Sequence, residues 1–186
     1  MNLPNKLTML RIALIPVFVI CFYLPVKHNM LIAAAVFIGA YITDAIDGHL
    51  ARKRNLVTDF GKLMDPIADK LLSSTALIML SACGYIHPVA TVIILSREMF
   101  ISGVRLVCAE KGKVVAASIW GKLKTVSQAI SIGAVMILYP LAGLLSPELG
   151  DVLKIFTQVL VWISVALAVV SGVDYTYKNR SFFSVK

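Results

Sequence analysis

The sequence predicts an all-α integral membrane protein with six transmembrane helices. Three observations predict it. Of 186 residues, 59% are hydrophobic, and the mean hydropathy is +0.85. A soluble domain of this length has too little interior to hide so much apolar surface. The apolar residues fall into six windows, each close to the roughly 20 residues that a helical span needs. Basic residues gather on alternate connections between those windows, which is the pattern that orients spanning helices.

The windows cover residues 7–24, 30–50, 60–86, 88–109, 119–145 and 152–175. The first carries Arg11 and Pro16, is long, and has no small-residue cleavage site behind it, so it reads as a span rather than a signal peptide. The second carries Asp44 and Asp47 near its end, and the third carries Asp65 and Asp69 in its opening turns. The fourth contains Arg97, Glu98 and Arg105. Lys122 and Lys124 stand at the entry of the fifth, and Lys154 lies just inside the sixth. The connections are short, so residues 1–186 read as one compact domain.

Charge placement sets the expected orientation. Lys6 and Arg11 mark the N-terminal side. Arg52, Lys53, Arg54 and Lys62 mark the second connection, and Lys111, Lys113, Lys122 and Lys124 the fourth. Lys178, Arg180 and Lys186 mark the tail, whereas the opposite connections offer only Lys27. Both termini are therefore expected on the cytoplasmic side of the cell membrane (N-in, C-in). The net charge of +8 follows from this topology and from attraction to anionic lipid, and there is no nucleic-acid motif. Cys21, Cys83 and Cys108 show no ligand spacing, so neither a zinc site nor a disulfide framework is expected. His28, His49 and His87 are scattered near span ends and read as interfacial.

The chemistry concentrates between Asp44 and Asp69. A carboxylate inside a spanning segment is costly and marks a candidate functional site. On a helix, Asp44 and Asp47 lie about 60° apart and Asp65 and Asp69 about 40° apart, so each pair shares a face. Four like charges in a low dielectric need a counter-charge, and the simplest is a hard divalent cation with oxygen ligands. The short link between the second and third windows makes those helices expected antiparallel neighbours, with Gly48, Ala51, Gly61 and Ala68 permitting close approach.

The same residues read D-x-x-D-G-x-x-A-R, eight residues, then G-x-x-x-D-x-x-x-D, with Asp44, Asp47, Gly48, Ala51, Arg52, Gly61, Asp65 and Asp69 at the fixed positions. This string resembles the signature of the CDP-alcohol phosphatidyltransferase family, and the resemblance extends over the whole chain. Asn2 to Arg11 resembles that family's amphipathic N-terminal stretch. Further on, R-E at Arg97, S-G-x-R ending at Arg105, and G-K-L-K-T from Gly121 to Thr125 resemble the bacterial phosphatidylglycerophosphate synthase branch.

The resemblance implies transfer of a phosphatidyl group from CDP-diacylglycerol to glycerol 3-phosphate, with release of CMP. It implies that Asp44, Asp47 and Asp65 hold one or two Mg²⁺ or Mn²⁺ ions with Asp69 beside them, and that Asp69 is the general base. Asn5, Thr8, Arg11, Asp44, Gly48 and Arg52 would bind CDP-diacylglycerol. Arg97, Arg105, Lys122 and Lys124 would bind the acceptor phosphate, since a phosphate dianion needs fixed cations and Arg meets its oxygens bidentately. A homodimer in the membrane is a further implication. Serine, inositol phosphate or phosphatidylglycerol remain alternative acceptors. An ion-coupled transporter would also explain intramembrane carboxylates, but not the G-x-x-A-R element or its spacing. A metal-dependent prenyltransferase would carry Asp-Asp-rich motifs in a different distribution.

Overall fold

The structure is a computed structural model that describes residues 3–53, 59–110 and 118–178, with side chains described over 8–43, 64, 67–68, 70–108 and 118–178. Six helices form: α1 (Leu3–Tyr23), α2 (Asn29–Lys53), α3 (Asp59–Ala82), α4 (Pro88–Glu110), α5 (Ile119–Ala142) and α6 (Pro147–Lys178). Each coincides with one apolar window. The ends differ by a few residues where local chemistry sets a start or a stop. α3 stops four residues short of its window because Gly84 takes φ +78°. The Tyr85 and Gly84 amides then reach back to the carbonyls of Leu80 and Ser81 at 2.8 and 3.0 Å, the two bonds of a Schellman cap. α4 begins on Pro88, where a missing N–H is harmless, and the His87 Nδ1 accepts from the Val89 amide at 3.3 Å. α5 is capped by the Ser118 hydroxyl, which accepts from the Gly121 amide at 3.2 Å. α6 starts five residues ahead of its window, on Pro147 with Glu148 in the first turn, a favourable pairing with the positive helix end.

α5 packs most extensively on α6, α1 lies against both α2 and α3, α4 packs on α6, and α2 packs on α5. The expected facing of the Asp pairs of α2 and α3 falls on side chains outside the described residues. The interior is built from Phe18, Phe37, Leu77, Leu80, Ile94, Ile132, Val135, Met136 and Val165. Ala33, Ala40, Ala76, Ala90 and Ala168 are almost fully buried and let the helices approach closely. At the α5–α6 turn the approach is closest: a Cβ on Gly150 would sit 2.7 Å from the Ala142 carbonyl oxygen.

Large apolar side chains also face outward on every helix, among them Ile20, Ile42, Ile78, Val92, Ile130 and Val173. Such a surface suits hydrocarbon rather than water. Among the described residues, α5 and α6 are long and apolar enough to cross a membrane; the apolar runs Thr8–Tyr23, Asn29–Thr43 and Lys70–Ala82 are shorter. In α4 the charges of Arg97, Glu98 and Arg105 interrupt the apolar stretch.

The two ends of the bundle differ. One carries the tight turns at 24–28, 83–87 and 143–146, and is closed by side-chain bonds to backbone. Asn29 Nδ2 donates to the Phe22 carbonyl at 2.9 Å, and Gln158 Nε2 donates to the Tyr85 carbonyl at 2.7 Å and the Tyr139 hydroxyl at 3.2 Å. The other carries the α2–α3 and α4–α5 connections, residues 54–58 and 111–117, which lie outside the described residues.

Candidate active site

Toward that second end, α2, α3, α4 and α5 line a cavity of about 560 Å³. α2 contributes Tyr41 and α3 contributes Lys70 and Ser73. α4 contributes Arg97, Glu98, Ile101, Ser102 and Arg105, and α5 contributes Gly121, Lys122, Lys124, Thr125, Val126 and Gln128. The four cations expected at an acceptor phosphate, Arg97, Arg105, Lys122 and Lys124, thus line one cavity. They arrive from two helices through helical spacing: Arg97 and Arg105 are two turns apart, and Lys122 and Lys124 follow the Ser118 cap.

The four are held differently. Lys124 is 1% exposed and paired with Glu98 Oε1, so it lines the cavity as a buried, ion-paired cation. Glu98 pairs with this lysine of α5 rather than with the neighbouring arginines of α4. Arg97 runs its stem along α6, where a Cβ on Gly172 would lie 3.4 Å from Arg97 Cγ. It brings Nη2 toward Gly121, where an added Cβ would lie 3.9 Å away. Arg97 Nε is buried and has no hydrogen-bond partner among the described residues. Arg105 is exposed and stacks its guanidinium 5.7 Å from the ring centre of Tyr175 on α6, a cation–π contact that fixes its direction. Lys122 is exposed at the mouth.

The cavity also holds polar groups that the motif reading passed over. Lys70 Nζ donates to the Ser102 hydroxyl, which in turn donates to the Glu98 carbonyl at 2.5 Å; Lys70 is thereby a fifth cation in the wall. Glu98 Oε2 and both amide atoms of Gln128 are buried without hydrogen-bond partners among the described residues. A signal for Gln128 did exist: it follows Lys124 by four residues, which places both on one helix face.

The remaining expected site residues are placed as follows. Asp44, Asp47 and Gly48 lie on α2, one turn and more beyond Tyr41, and Arg52 lies near its end. Asp65 and Asp69 lie on α3, with Asp69 directly before Lys70. Their side chains, and that of Asn5, lie outside the described residues. Thr8 and Arg11 are buried in α1, at 2% and 3% exposure, and are not part of this cavity wall. Among the described residues no group of three His, Cys, Asp or Glu could hold a metal ion. The Asp set is confined to the cavity end of α2 and α3. Four carboxylates on two helices are the oxygen-only donor chemistry that suits Mg²⁺ or Mn²⁺.

Two apolar grooves border the cavity. One, of about 640 Å³, runs between α2 and α5 along Phe37, Ile38, Ala129, Ile130 and Gly133, and shares Tyr41 with the cavity. The other, of about 620 Å³, runs between α4 and α6 along Phe100, Val169, Gly172 and Val173, and shares Arg97.

The pattern of the CDP-alcohol phosphatidyltransferase family matches residues 1–170. The CDP-diacylglycerol–glycerol-3-phosphate 3-phosphatidyltransferase of Bacillus subtilis (strain 168) is 42% identical, over 96% of this chain and 95% of its own. The protein of the same name from Rickettsia typhi is 36% identical over 98% and 99%. A probable phosphatidylglycerophosphate synthase of Mycobacterium tuberculosis is 40% identical over 94% of this chain and 79% of its own.

Proposed function

The chain belongs to the CDP-alcohol phosphatidyltransferase family, and from that premise we propose that it makes phosphatidylglycerophosphate from CDP-diacylglycerol and glycerol 3-phosphate. Full-length relatives carrying that activity in their names support the reading. The observation that carries the acceptor is the gathering of Arg97, Arg105, Lys122 and Lys124 on one cavity at the Asp-bearing end of the bundle. A phosphate dianion is the partner that such a set requires. A neutral or zwitterionic alcohol would leave Arg97, Arg105 and Lys122 without an anionic partner in the substrate, whereas Lys124 is matched by Glu98.

In this reading all six helices span the cell membrane, with both termini and the cavity on the cytoplasmic side, and the enzyme is a homodimer. Asp44, Asp47 and Asp65 would hold one or two divalent ions, with Asp69 beside them. Bound there, Mg²⁺ or Mn²⁺ would supply positive charge to offset the charge that develops as CMP departs. Asn5, Thr8, Arg11, Gly48 and Arg52 hold the nucleotide end of the donor. The four cations orient glycerol 3-phosphate with its free primary hydroxyl toward α3. Asp69 takes the hydroxyl proton as the oxygen attacks the phosphorus that bears diacylglycerol. The bond from that phosphorus to CMP breaks, and CMP departs with the bonding pair. The acyl chains stay in the bilayer, which the apolar grooves beside the cavity reach.

The test is an acceptor assay in detergent with labelled CDP-diacylglycerol and Mg²⁺ or Mn²⁺. Glycerol 3-phosphate should yield labelled phosphatidylglycerophosphate. Glycerol, serine and inositol should yield none, and EDTA should stop the reaction until metal is restored. A better rate with serine or an unphosphorylated polyol overturns the acceptor; full turnover in excess EDTA overturns the metal.

A further inference from the structure

We propose that Gln128 and Glu98 are specificity residues that read the secondary hydroxyl of the acceptor, so that the cavity selects a phosphorylated polyol and not merely a phosphorylated alcohol. The inference rests on the glycerol 3-phosphate reading and deepens it.

The observations are independent of the cations. Gln128 is 2% exposed, lines the cavity, and uses neither its amide nitrogen nor its amide oxygen in a bond among the described residues. A buried amide left unpaired destabilises the fold, so native chains rarely keep one without a purpose. Glu98 spends Oε1 on Lys124, and its buried Oε2 has no partner among the described residues. Beside the cations and hydroxyls of the wall, these two side chains give the cavity a carboxylate acceptor and an amide that both donates and accepts.

Their position separates them from the phosphate. Gln128 stands one helical turn, about 6 Å, further along α5 than Lys124, and Lys124 stands beyond Lys122, away from the mouth. Arg105 and Lys122 are exposed, whereas Glu98 and Gln128 are inside. A phosphate dianion is repelled by the Glu98 carboxylate and drawn toward Arg105 and Lys122. The other end of the acceptor then meets groups that suit a hydroxyl: Oε2 of Glu98 accepts its proton, and Nε2 of Gln128 donates to its oxygen. Two such bonds fix the carbon that carries the hydroxyl, and the primary hydroxyl is left for attack. A site built to bond a hydroxyl discriminates strongly against an analogue without one, because its own polar groups are then stranded.

The experiment compares glycerol 3-phosphate with 3-hydroxypropyl phosphate, which keeps the phosphate and the primary hydroxyl and lacks only the secondary one. The unaltered enzyme should favour glycerol 3-phosphate in kcat/KM by about tenfold or more. Gln128→Leu should lower kcat/KM for glycerol 3-phosphate by about 10- to 100-fold, with little change for 3-hydroxypropyl phosphate, so that the preference collapses. Glu98→Gln keeps an oxygen for Lys124, replaces the accepting Oε2 by a donor, and should shift the ratio the same way. KM for CDP-diacylglycerol should hold in both. Gln128→Met, close in volume, carries the same expectation if Gln128→Leu does not fold. Equal losses on both acceptors, or no loss, overturn this proposal while leaving the acceptor reading intact. An enzyme that uses neither compound and accepts a different alcohol overturns both.

Discussion

Gln158 and Gln128 carry the same side chain into opposite ends of the bundle. Gln158 ties α6 to the α3–α4 turn and to Tyr139, with two partners for its amide nitrogen. Gln128 is buried with none among the described residues. The difference holds for their surroundings. At the turn end, polar groups are consumed in closing backbone, as with Asn29 on the Phe22 carbonyl and the Schellman cap at Gly84. At the cavity end, Arg97 Nε, Glu98 Oε2 and the Gln128 amide are held in place but not consumed. One end spends its polar chemistry on the fold, and the other reserves it for molecules that are not part of the chain.

That contrast is breakable. The largest effect is expected from Arg97→Ala, which should cost about 1.5–3 kcal/mol of transition-state stabilisation, or one to two powers of ten in kcat/KM for glycerol 3-phosphate. CDP-diacylglycerol affinity and thermal unfolding in detergent should change little. A variant that melts early but is kinetically normal would make the cavity end structural as well. Next is Gln158→Leu, which strands the Tyr85 carbonyl and should cost about 1–3 kcal/mol of stability, read as a lowered unfolding midpoint, with both kinetic constants unchanged. A kinetic defect there would dissolve the division between the ends. The smallest effect is expected from Lys154→Ala. Its pair with Asp151 at 2.9 Å is mostly exposed, so the loss should be about 0–0.5 kcal/mol, at the margin of detection by unfolding.

The contrast also separates what could be read in the sequence from what could not. The six helices are legible because each is a long apolar run; the local chemistry at Gly84 ends α3 four residues early and Pro147 starts α6 five residues early. Arg97 and Arg105 were legible because charge inside an apolar window is conspicuous. Lys124 lines the same cavity as Arg97, Arg105 and Lys122, but its burial and its pairing with Glu98 are not readable in the sequence. They depend on Lys124 of α5 meeting Glu98 of α4, which no local pattern encodes. Gln128 and Ser102 were missed for a simpler reason: an uncharged polar side chain in a span is common and costs little, so it leaves no mark in composition. The facing of the Asp pairs across α2 and α3 rests on chain connectivity and helical spacing, and their side chains lie outside the described residues.

Gly150 sits at the far end of the molecule from all of this chemistry, against the Ala142 carbonyl. It is the fulcrum of a long lever. α5 runs from that contact back to Gly121, twenty-one residues or about 30 Å at the helical rise. A wedge of one methyl group at Gly150 that tilted α5 by about 5° would swing its opposite end by nearly 3 Å on that length. Lys122 and Lys124 ride on that end. The tightness of one turn at one face of the bilayer therefore sets the spacing of cations at the other, and tolerance to substitution at Gly150 becomes a gauge of how finely the cavity must be tuned.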